Sequence, residues 1–179
     1  SDGLPNSASE KLTRVVDTTA PSVTLSSSAP DPTKNSPIPV SVTFSEGVTG
    51  FTAADVTVVN AALGGFSGSG ASYTFTLTPS GQGEVRASIA AGKAHDPAGN
   101  GNSASNTLRR VYDSVPPSVQ LATTVSSPTN QGVIPVTVTF SESVSGFAAS
   151  DVVVTNGAVS GFTGSGASYR FDLQPGGSG

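Results

Sequence analysis

Hydrophobic residues in this chain recur at every second position. Ile38, Val40, Val42 and Phe44 alternate with Pro39, Ser41 and Thr43, so an extended segment there has one apolar and one wet face. Tyr73, Phe75 and Leu77 repeat the pattern, as do Val85, Ala87 and Ile89, and Val23 with Leu25 shows it in brief. Turn-forming Gly, Pro, Asn, Asp and Ser separate these runs. The pattern predicts short, half-buried antiparallel strands and no helix longer than a single turn. The run from Leu108 to Tyr112 fits less well, because Arg110 shares a face with Leu108 and Tyr112. Periodicity alone assigns that arginine no place.

Sliding the chain over itself by 96 residues aligns residues 17–79 with 113–175 without a gap, and 35 of the 63 positions are identical. This is an internal repeat. Six or seven strands in about 96 residues is the size of an immunoglobulin-like sandwich, so the fold class is all-β, with such sandwiches in tandem. The same offset matches Leu12, Arg14, Val15 and Asp17 with Leu108, Arg110, Val111 and Asp113. Residues 1–16 are therefore expected to be the last strand of a preceding repeat, 17–112 a complete repeat, and 113–179 a repeat that stops before its last two strands. Neighbouring repeats of the same polypeptide are the expected partners. Head-to-tail contacts between chains are a second route, with residues 1–16 of one chain supplying a last strand to another. Proline-bearing joints, Asp17 to Val23 and Asp113 to Val119, are expected to be short and stiff.

Composition narrows the function. Eight basic and 12 acidic residues give a net charge of −4, with no basic stripe for phosphates, so nucleic acid is not an expected partner. Cysteine is absent, which removes disulfides and thiolate metal sites. No run approaches the roughly 20 apolar residues that span a bilayer. Any secretion signal is expected to lie outside these residues.

The opening DTTAPSVTL from Asp17, the core FSEGVTGFTAADVTV from Phe44, the hairpin GFSGSGASYTFTLTP from Gly65 and the loop HDPAGNGN from His95 resemble bacterial Ig-like repeats. Such repeats occur in very large exported proteins, among them repeat-rich adhesins and biofilm-associated surface proteins. The resemblance covers nearly the whole chain. It implies a tandem sandwich, an extracellular or cell-surface location and a non-enzymatic, architectural role as stalk or spacer. Gly47 and Ser143 stand where similar repeats often carry proline. A glycan- or protein-binding accessory module is the alternative, and it would need an exposed aromatic cluster or a large apolar patch.

Few residues suggest chemistry. His95, the one histidine, lies in a polar stretch, and no nucleophile elbow accompanies it. Gly64 to Gly70 is glycine-rich, but no lysine follows and no helix begins, so it reads as a hairpin turn. Glu46 and Glu142 occupy equivalent positions in successive repeats, which suits structure better than a single active site. Asp55 and Asp151 read as strand-start turns. Asp96-Pro-Ala-Gly-Asn100-Gly-Asn102 presents side-chain oxygens in a glycine-bearing loop, a chemistry that suits calcium. The plainer reading makes these residues turn formers that cap their own backbone. The calcium reading adds Glu46 at a strand end and Asp17 or Asp113 at the joints, so its ligand set is Asp17, Glu46, Asp96, Asn100 and Asp113.

Overall fold

A computed structural model describes residue 3 and residues 11–177. The strand expected over residues 1–16 falls largely outside them, and residues 11–16 carry no strand. The chain divides into two units between Ser114 and Val115.

The first unit is a sandwich of antiparallel strands. Its elements are β1 (Val23–Ser26), β2 (Ile38–Val48), β3 (Val56–Val59), β4 (Ala61–Pro79), β5 (Gly83–Ile89) and β6 (Leu108–Tyr112). One sheet runs β1-β2-β4 and the other β3-β5-β6. The alternation in β2 is realised directly: Ile38, Val40, Val42 and Phe44 are buried and the residues between them exposed. They meet Val85, Ala87, Ile89 and Leu108 of the facing sheet in one core. A period of two on both faces buries every second side chain and leaves the intervening hydroxyls in water, which is why these short runs need no further apolar residues. Phe75 is among the largest of the fully buried side chains. Its truncation to alanine should cost about 3–5 kcal/mol.

β4 doubles back on itself. Asn60 accepts a bond from the Ser80 amide at 3.0 Å. Thr76 Oγ1 donates to Gly64 O at 3.1 Å. Gly68, at φ 128°, lies so close to the Ser72 carbonyl that a Cβ would stand 2.4 Å from it, and this contact together with φ requires glycine at the tip. Arg110 finds its place in the polar chain that closes the sandwich. Its Nε donates to Ala29 O at 3.0 Å and its Nη2 to Ser27 O at 2.9 Å, tying β6 to the connection after β1. Asn106 does the same one step earlier, accepting from Leu25 N at 2.8 Å and donating to Leu25 O at 3.0 Å, as a neighbouring strand would.

The second unit repeats the first sheet: β7 (Val119–Ala122), β8 (Ile134–Val144) and β9 (Gly157–Pro175), in the order β7-β8-β9. Register is conserved under the 96-residue shift, since Val23 faces Phe44 in one unit and Val119 faces Phe140 in the other. The ring cluster is copied as well. Phe44 and Phe51 meet edge to face at 5.3 Å, and Phe140 and Phe147 at 5.1 Å. Buried apolar residues in this unit are Val136, Val138, Tyr169 and Phe171. Residues 152–155, the counterpart of β3, form no strand.

Candidate metal centre

Three of the five calcium candidates converge. Carboxylate oxygens of Asp17, Glu46 and Asp96 all lie within 4.8 Å of one another, although the residues come from the joint, from β2 and from the loop after β5. Each arrives by a separate local device. Glu46 continues the inward parity of Phe44, but the pairing of β2 with β4 shifts register between Thr43 and Val48. A bulge of this kind re-aims side chains, and Glu46 ends half-buried at the end of the strand. Asp17 folds its own turn, its Oδ1 accepting the Thr19 amide at 2.9 Å.

Asp96 is held most firmly. It is 3% exposed. Its Oδ1 accepts the Asn100 amide and its Oδ2 the Asn100 Nδ2, both at 2.8 Å. The Asn100 side chain leads the contacts that hold this carboxyl below the usual aspartate range; burial opposes the shift, and amides of Asn100, Ala98 and Gly99 assist it. Asp96 is therefore a pre-formed anion at neutral pH, enclosed by donors from its own loop.

Asn100 joins the group in a different role from the expected oxygen ligand. Its amide nitrogen is the atom turned inward, donating to Asp96 Oδ2 and, at 3.1 Å, to Asp17 O. Coordination through its Oδ1 would require the amide to flip. Asp113 is not among the converging residues. Its amide donates to Thr33 O at 2.9 Å beside the end of β6. In sequence Asp113 and Glu142 stand to the second repeat as Asp17 and Glu46 stand to the first.

Asn102 is the most deeply buried polar residue of this loop, at 1% exposed. Its Oδ1 accepts the amides of Lys93 and Ala94 at 2.7 and 2.8 Å, and its Nδ2 donates to Ala90 O and Ser103 O at 3.0 and 2.7 Å. With both ends of its amide engaged by backbone, Asn102 sets the path of the loop. Asp55 and Asp151 close their single-turn helices, accepting the amides of Thr52 and Ala148 at 2.9 Å. The His95 side chain is exposed, and the residue's backbone bridges Thr49 and Gly101.

Three carboxylates at this separation suit a hard cation. Calcium takes six to eight oxygens at about 2.3–2.6 Å; the three converging carboxylates bring one oxygen each to such a shell, which carbonyls or water would have to complete.

A family model for the bacterial Ig-like domain matches residues 17–112 and again residues 113–177. The chain belongs to the bacterial Ig-like domain family. The two matches coincide with the two copies of the 96-residue repeat, and the antiparallel sheets with almost no helix are those of a bacterial Ig-like sandwich. No curated protein matches significantly. Among solved structures, FdeC, a broadly conserved Escherichia coli adhesin eliciting protection against urinary tract infections, is similar at 15% identity and a TM-score of 0.42. The likeness covers 91% of this chain and 57% of that one, and at this score it carries no functional argument.

Proposed function

We propose that these bacterial Ig-like repeats are a structural spacer of an extracellular or cell-surface protein, non-enzymatic themselves, that holds a distal functional domain away from its anchor. The observation that carries this reading is repetition: one repeat unit, with its joint, its first sheet and its ring cluster, recurs in succession, and the family match follows both copies. A spacer lengthens by adding copies of one unit, whereas a single binding or catalytic site gains nothing from them.

Within this reading the Asp17, Glu46 and Asp96 group has a mechanical task. A calcium ion held there would tie the joint residue Asp17 to the body of its own repeat, through β2 and the loop after β5. Screening by the ion would also replace mutual repulsion among three carboxylates with attraction. Pulling the chain by its ends tests the proposal. A spacer should resist and then rupture in one discrete event at the first repeat, and gradual yielding at low force would overturn the reading.

A further inference from the structure

The second copy of the long hairpin departs from the first mainly along one outward row. Between Gly65 and Pro79 it is kept residue for residue except that Ser67 becomes Thr163, and Thr74, Thr76 and Thr78 become Arg170, Asp172 and Gln174. The last three are successive outward positions of β9, whereas the inward Tyr73, Phe75 and Leu77 return unchanged as Tyr169, Phe171 and Leu173. In the first repeat the Thr76 hydroxyl is satisfied internally, donating to Gly64 O. Asp172, in the same place, is half-buried, and its Oδ2 packs so near Gly161 that a Cβ there would stand 3.1 Å from it. Among the described residues neither Asp172 nor Arg170 has a hydrogen-bond or ion-pair partner. A hollow of about 500 Å³ opens here, lined by Pro135, Thr137, Gly161, Arg170 and Asp172 among others. A second of about 370 Å³ shares Thr137 and Arg170 and continues the polar lining past Thr139 and Ser168.

We propose that this outer face of β8 and β9 binds a neutral glycan, with Arg170 donating to and Asp172 accepting from its hydroxyls. The lining chooses the ligand class. One guanidinium and one carboxylate nearly cancel at a distance, so neither an anion nor a cation is drawn preferentially. Close at hand they differ: Arg170 only donates, Asp172 only accepts, and the hydroxyls of Thr137, which lies opposite Arg170, and of Thr139 do both. Sugar hydroxyls, each a donor and an acceptor, satisfy such a mixed set along its length. Pro135, opposite Asp172, adds an apolar surface for the C–H face of a sugar ring. From Ser168 to Asp172 the row runs on the order of 13 Å, long enough for more than one ring. An extended peptide fits less well, because the hollows open on the face of the sheet and offer no free main-chain edge for strand addition. This inference is independent of the spacer reading, since a spacer can carry such a face on one repeat alone.

The test uses the intact chain, whose first repeat is a built-in control, with maltohexaose and cellohexaose as neutral probes. Titration followed by amide chemical shifts should show saturable changes with at least one of them, confined to residues 135–139 and 168–174. Tyr169 and Phe171 turn inward and no ring is left for stacking, so Kd should be on the order of 1 mM. Arg170→Thr and Asp172→Thr restore the residues that the first repeat carries at these positions, so the melting temperature should hold while each weakens binding about tenfold. The proposal is overturned by absence of a saturable response to both probes, by equal changes at residues 39–43 and 72–78, or by affinity indifferent to both substitutions. Tighter binding of hexagalacturonate, or of a neutral Gly-Ser peptide, would also overturn it.

Discussion

Replacing Asn102 with alanine removes four hydrogen bonds at one stroke, and the structure tells which of the four losses matter. Ala94 is fully buried, so its amide would be left without a partner or water. Lys93, Ala90 and Ser103 are exposed, so water can take over much of what their backbone groups lose. One orphaned buried amide costs about 1–3 kcal/mol, and the three bonds exchanged for water add a few tenths each, for a total of about 2–4 kcal/mol. For a unit of this size that lowers Tm by about 10–30 °C. The assay is thermal unfolding followed by circular dichroism, with amide exchange at Lys93 and Ala94 to localise the change. Asn102→Asp provides the internal control. Its carboxylate would face two carbonyl oxygens that the native amide nitrogen satisfies, so the charged form is disfavoured in the folded state and its pKa is raised. Stability lost at neutral pH should then return as pH falls through that raised value, which the alanine variant cannot do. A Tm within about 3 °C of the native value for Asn102→Ala would refute the assignment of this residue as organiser of the loop.

Calcium at about 100 times its Kd should stabilise the first repeat by about 2.7 kcal/mol, and Glu46→Gln or Asp96→Asn should reduce that gain; identical melting curves in calcium and in chelator would remove the site. The Asp96 carboxyl is held below its ordinary value of 3.8, so its contribution is complete above that value and is lost as pH falls through the lowered folded-state value. Acid titration of melting temperature should show this decline, and Asp96→Asn should lack that component. Arg110→Met keeps the aliphatic stem but deletes the bonds to Ala29 and Ser27, and should cost about 1–3 kcal/mol in chemical denaturation.

The strands were legible because half-burial writes a period of two into β2, β4 and β5 without help from tertiary context. Repetition then confirmed the unit, since one pattern occurs twice at a fixed spacing. The joint carboxylates were harder to read. Asp17 and Asp113 are equivalent under the repeat, and nothing in that equivalence announces that the loop after β5 closes onto Asp17 O. Asn100 and Asn102 both looked like oxygen donors in a polar loop. Burial separates them, because Asn102 is enclosed by backbone groups that one sequence cannot bring together. Arg110 escaped for a related reason: its partners Ser27 and Ala29 lie some 80 residues away, in a connection with no periodic signal.

Rupture of a single chain under force, first in calcium and then in chelator, tests the spacer reading most directly. The account predicts one discrete event for the first repeat in both solutions, releasing about 300 Å of contour from residues 23–112, at a force that is higher in calcium. A first repeat that yields without a discrete event in either solution would contradict it.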